Sequence, residues 1–109
     1  MLVPFPQEMP TREAFAILQD AYFNHTVDRR QAALVAWNVA GYGLDKSVPT
    51  MTTFGDGRQE NAGEPTEAEA QNAFSAVLGM RGDAEVELDP VTLMILVRVA
   101  AFVLKRFLK

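Results

Sequence analysis

Hydrophobic positions recur at helical spacing in four stretches of the chain, separated by segments in which that spacing is lost. In the first stretch Phe15, Leu18 and Tyr22 fall on one stripe, with Ala14, Ile17 and Ala21 beside them and Arg12, Glu13, Gln19 and Asp20 elsewhere. The pattern predicts a helix from Arg12 to about Asn24 with one buried face, begun by Thr11 after Pro10. The second stretch differs in kind. From Ala32 to Tyr42 the only polar side chain is Asn38. A helix apolar all round is buried on several sides, so Trp37 and Tyr42 read as large buried surface. Either Thr26 or Asp28 can cap its start, and Gly41 or Gly43 can stop it. Ala32, Ala36 and Ala40 recur at i, i+4 and i+8, a face smooth enough for another backbone to approach closely. This is the pattern of a central helix or of one half of an oligomer contact.

From Leu44 to Pro65 the periodicity disappears and Pro49, Gly55, Asp56-Gly57, Asn61 and Gly63 accumulate, which predicts a long irregular connection with some strand character at residues 50–54. Thr66-Glu67-Ala68-Glu69 then has the form of a capping box. It opens a third helix, to about Met80, with Ala70, Ala73, Phe74, Val77 and Leu78 as its stripe. Asp83 to Asp89 alternates acid with apolar residue, the signature of a short extended segment. Asp89-Pro90 is an N-cap followed by proline at the first helical position and predicts a fourth helix reaching almost to Lys109. Between Val91 and Leu108 its polar residues are Thr92, Arg98, Lys105 and Arg106.

Composition narrows the class. The chain has 109 residues, 49% of them hydrophobic and 22% charged, the profile of one globular domain. The absence of cysteine excludes disulfides, thiolate metal sites and cysteine nucleophiles. The net charge of −4 hides a segregation: residues 56–89 hold nine acids against two arginines, whereas residues 90–109 hold four bases and no acid. A nucleic-acid binder needs a broad basic surface, so that class is not expected. The start, Met1-Leu2-Val3-Pro4-Phe5-Pro6, lacks the basic region and unbroken apolar run of a signal peptide, and a cytoplasmic setting is the expectation.

Candidate chemistry is sparse. His25 has no companion ligand, and a histidine beyond a helix end is a capping residue by default. Carboxylates two apart on an extended segment stand ~7 Å from one another, too far to share an ion closely, so Asp83, Glu85, Glu87 and Asp89 read as a solvated or partner-facing row. Arg29 and Arg30 sit in the first turn of the second helix, where the dipole disfavours cations; acidic partners from residues 56–89 are the simplest expectation. On the fourth helix Arg98, Lys105 and Lys109 share a narrow stripe flanked by Met94 and Phe102. No triad, metal-ligand, nucleotide-loop or paired-carboxylate spacing is present, so neither catalysis nor a cofactor is expected.

The sequence therefore predicts an all-α protein: a small four-helix bundle in a single domain over residues 1–109, with an irregular segment at 1–10 and a long loop at 44–65. The expected function is a non-catalytic protein–protein interaction module or homo-oligomeric subunit. Its candidate contact residues are Ala32, Ala36, Ala40, Trp37, Arg98, Phe102 and Lys105. Two other readings are weighed: a small-molecule pocket lined by Trp37, Tyr42, Phe54 and Phe74, and a peripheral membrane protein docking by the basic apolar fourth helix.

Overall fold

The computed structural model describes residues 3–4, 12–24, 28–45, 64–79 and 87–107. Within them the chain forms α1 (Arg12–Phe23), α2 (Arg29–Asp45), α3 (Glu67–Leu78) and α4 (Pro90–Phe107). Two dipeptides, β1 (Val3–Pro4) and β2 (Glu87–Leu88), pair antiparallel with Val3 opposite Leu88. The architecture is the expected all-α bundle of four helices. Thr11, His25, Thr26, Phe54, the segments 46–63 and 80–86, and Lys109 lie outside the described residues, and with them most of the expected long loop.

Three helices begin where the sequence places a cap. Asp28 Oδ1 accepts from the Arg30 and Gln31 amides at 2.9 and 3.0 Å, satisfying two of the free donors that open α2. At α3 the capping box closes in both directions: the Thr66 amide donates to Glu69 Oε1 at 2.9 Å, and the Glu69 amide donates to Thr66 Oγ1 at 3.1 Å. These bonds to Thr66 hold the Glu69 carboxyl below its ordinary range. Asp89 accepts from the Thr92 hydroxyl and amide at the head of α4, and the hydroxyl bond in particular lowers its pKa.

The core is built around α4. Leu93, Leu96, Val97, Val99, Ala100 and Val103 are buried along it, against Phe15, Leu18, Ala21 and Tyr22 of α1 and Ala70, Ala73, Phe74 and Val77 of α3. The most extensive helix–helix contact is between α2 and α4. The two run in opposite directions: Gly43, near the end of α2, lies on Val97, while Phe107, at the end of α4, lies beside Arg29 at the start of α2. Ala32, Ala36, Val39 and Ala40 bury the inward face of α2 in this contact region of the core.

Two expectations for α2 are corrected. The helix does not stop at Gly41 or Gly43 but continues to Asp45, so Leu44 and Asp45 belong to it and not to the loop. Gly43 is there for close approach: a Cβ built on it would stand 2.5 Å from both Val97 methyls and 3.0 Å from Val97 Cβ. Trp37, expected in the core, is 64% exposed.

The two glycines separate these roles experimentally. Gly43→Ala forces overpacking against a stiff β-branched side chain, which typically costs ~1 to 3 kcal/mol and outweighs the roughly 1 kcal/mol of helix propensity gained. At Gly41 an added Cβ meets nothing within 4 Å. Gly41→Ala should therefore stabilise the dilute chain by ~0.5 to 1 kcal/mol. Urea unfolding of the two variants should give shifts of opposite sign; a stabilising Gly43→Ala would show that the helices do not meet closely there.

Candidate functional site

Once α2 has turned its small residues to the core, its opposite side carries Arg30, Ala33, Leu34, Trp37, Asn38, Gly41 and Asp45. Leu34 is 62% exposed beside Trp37, and the two stand one turn apart on adjoining positions. Phe107 from the last turn of α4 completes the surface. Together with Arg29, Arg30 and Ala33, these three large apolar side chains line an open groove of about 410 Å³. The Arg29 guanidinium lies 5.7 Å from the centroid of the Phe107 ring, a cation–π contact. Among the described residues Arg29 meets this aromatic face and no acidic partner, while Asp56, Glu60, Asp83 and Glu85 of the expected acidic stretch lie outside them.

The position of Phe107 is set by its neighbour. Arg106 reaches the other way and donates from Nη1 to the carbonyl oxygens of Ala21 and Tyr22, at 3.0 and 3.2 Å. These are carbonyls of the last turn of α1, so a cation from α4 occupies the negative end of a different helix. Tyr22 is fixed in turn. Its hydroxyl donates to Glu64 Oε1 at 2.9 Å and lies 3.3 Å from the Pro65 carbonyl oxygen, tying α1 to the approach of α3. Phe23 stacks edge-on between Tyr22 and Phe74, with centroids 5.1 and 6.2 Å away. The end of α4 is held on one side by this network and offers Phe107 on the other.

The structure sorts the sequence candidates. Ala32, Ala36 and Ala40 are buried in the chain's own core, so that stripe is not open to another subunit, and only Trp37 of the α2 candidates lies on the surface. Of the α4 candidates, Lys105 is exposed, whereas Phe102 packs half-buried against the core. Arg98 is half-buried as well. It donates from Nη2 to Met94 Sδ at 3.5 Å, and its Nε is enclosed without a hydrogen-bond partner. Burial pushes its pKa down, while the charge of Glu69 acts in the opposite direction. These three residues do not meet Trp37 in the groove.

Of the residues expected to line an aromatic pocket, Trp37, Tyr42, Phe54 and Phe74, Phe54 lies outside the described residues, Phe74 is fully buried in the core, Tyr42 is buried, and neither of these two lines the groove beside Trp37. Among the described residues no group of three or more His, Asp or Glu is placed to hold a metal ion. No helix among them is long and apolar enough to cross a membrane, and most apolar residues of α4 are buried or packed against the core. Sequence reasoning missed Leu34, Phe107 and the Arg106 clasp. No family model, curated protein or solved structure matches the chain.

The Tyr22 hydroxyl predicts an alkaline transition. Burial first, and then the bond to Glu64, raise the Tyr22 pKa well above the ordinary 10.0. A phenol whose folded pKa is raised retains its proton in the folded chain while the unfolded chain loses it, so stability present below pH 10 falls as pH rises through that value. Denaturant midpoints measured between pH 8 and 11 should decline above pH 10 for the parent. The decline should be shallower for Tyr22→Phe; an equal decline in both would place the titrating group elsewhere.

Proposed function

We propose that this chain is a non-catalytic protein–protein interaction module that docks a helix of a protein partner on the outer face of α2. The observation that carries the reading is the exposure of Trp37 together with Leu34. Two large apolar residues at adjoining helical positions, with Phe107 at the groove's wall, form a contiguous patch, and such patches on a small domain mark contact sites. Tryptophan rimmed by arginine is also the residue pair that dominates interface energetics. The groove is open and lined by apolar and cationic side chains without a carboxylate, hydroxyl or imidazole. That favours packing against a helix over chemistry on a small molecule.

Trp37 is the only tryptophan in the chain, which makes the reading measurable. In a dilute monomeric sample its emission should be red-shifted and freely quenched by acrylamide. Trp37→Ala, compared as a monomer, should keep its unfolding free energy within about 0.5 kcal/mol of the parent, the range for surface positions free of structural roles. A blue, unquenchable emission, or a loss of several kcal/mol in the variant, would make Trp37 a core residue and overturn the reading.

A further inference from the structure

The outer stripe of α2 is directional. Arg30, Leu34, Trp37, Gly41 and Asp45 are all exposed, and at about 100° per residue they fall within roughly 80° of arc along the helix. A cation stands at one end, an anion at the other, and the apolar pair lies between them. Both charges are on the wrong ends for the helix that bears them. α2 has no acid in its first turn and no base in its last turn. Arg30 therefore lies against the positive pole of the helix dipole and Asp45 against the negative pole. Among the described residues neither takes an ion pair.

We propose that the chain pairs with a second copy of itself through this stripe, the two α2 helices antiparallel about a two-fold axis beside Trp37, with Arg30 facing the partner's Asp45 at both ends. The inference rests on the reading of the outer face of α2 as an interaction surface and names its occupant. In the antiparallel register centred between Trp37 and Asn38, position 30 opposes position 45 and position 34 opposes position 41. Leu34 then meets the partner's Gly41, where the space a side chain would take is open. Each Arg30 gains both an opposite charge and the negative end of the facing helix, and each Asp45 gains the converse. The C-terminal half of one α2 covers the groove walled by Phe107 on the other. An unrelated partner would have to carry this charge order reversed; a second copy, turned over, carries it already. The pairing is isologous, so it closes at two chains and builds no filament. One helix pair in contact over roughly 22 Å is at the small end of specific interfaces, so the association is concentration- and salt-dependent.

Sedimentation and light scattering of the full chain up to roughly millimolar concentration test this. The parent should dimerise, more weakly at raised salt, and Trp37→Ala should weaken the dimer at least tenfold. Arg30→Asp and Asp45→Arg should each weaken it by roughly tenfold, because each replaces two attractions by two repulsions, and the double variant should recover most of the loss. The same single variants correct the dipole mismatch, so as monomers they should melt no lower than the parent, which separates lost pairing from lost folding. A chain that stays monomeric throughout overturns self-pairing, while the exposure and neutrality of Trp37 would still stand for the interaction reading. A dimer indifferent to Trp37→Ala overturns both. A dimer lost with Trp37 but not rescued by the double reversal overturns the antiparallel register.

Discussion

The close approach of α2 to α4 constrains everything else in this molecule. α4 is apolar on nearly all sides, and a chain of 109 residues has few surfaces with which to cover it. α2 supplies one by giving up side-chain volume: Ala32, Ala36, Ala40 and Gly43 let its backbone come down on α4 until Val97 touches the position where a Cβ would stand. α1 and α3 cover the rest with Phe15, Leu18, Phe74 and Val77, all fully buried. The solution has a geometric cost. A helix that spends its small residues inward has its large ones left on other positions, and the outward placement of Leu34 and Trp37 follows from the same residue order that makes the core tight.

Helix ends are handled by two different devices, and the difference matters for the surface. Asp28, Thr66 and Asp89 are local caps, each satisfying amides within three residues of itself. Arg106 is a long-range cap, bonding the carbonyls that end α1 from a position more than eighty residues further along the chain. Local caps decide where a helix begins. The long-range cap decides how α4 sits relative to α1, and so where Phe107 is held. A cation that binds the foot of one helix thereby fixes an aromatic wall about 100° further round its own. Phe107 then receives Arg29, whose charge would otherwise add to the unfavourable positive end of α2.

What the sequence made legible were features whose cause is local. The capping residues of α2, α3 and α4 were readable because the bonding partner is an amide of the same turn, and the buried faces of α1 and α3 because polar residues mark their other sides. Leu88 likewise lies in the stretch whose alternation predicted an extended segment, although only residues 87–89 of it are described, and of these Glu87–Leu88 pair as a strand. For α2 the inference failed at orientation. An almost uninterrupted apolar run from Ala32 to Tyr42 invites the conclusion that all of it is buried, and Trp37 went in with the rest. The signal that points outward was present but sparse: Arg30, Asn38 and Asp45 lie on one side, with Leu34 among them and Trp37 at its edge. Reading orientation from the few polar positions, and not from the many apolar ones, would have found the face. Gly43 was misread for a related reason, since a glycine that ends a helix and a glycine that admits a neighbour look alike until the neighbour is known. The Arg106 clasp had no sequence signal at all, because both of its acceptors are main-chain atoms.

The placement of charge on α2 gives the exposed face its meaning. A solitary surface helix gains from acids near its start and bases near its end, each by several tenths of a kcal/mol. α3 follows that rule with Glu67 and Glu69, and α4 follows it with Lys105 and Arg106. Within the turns of α2 the order is reversed: behind the Asp28 cap stand Arg29 and Arg30, and Asp45 stands at its foot. Of the two head cations, Arg29 lies against Phe107, which leaves Arg30 and Asp45 as a pair that takes no ion pair among the described residues. An arrangement unfavourable within one helix becomes favourable between two antiparallel helices, because the facing dipole runs the other way. The mismatch and the exposed tryptophan lie on the same stripe of the same helix, and one antiparallel contact would resolve both.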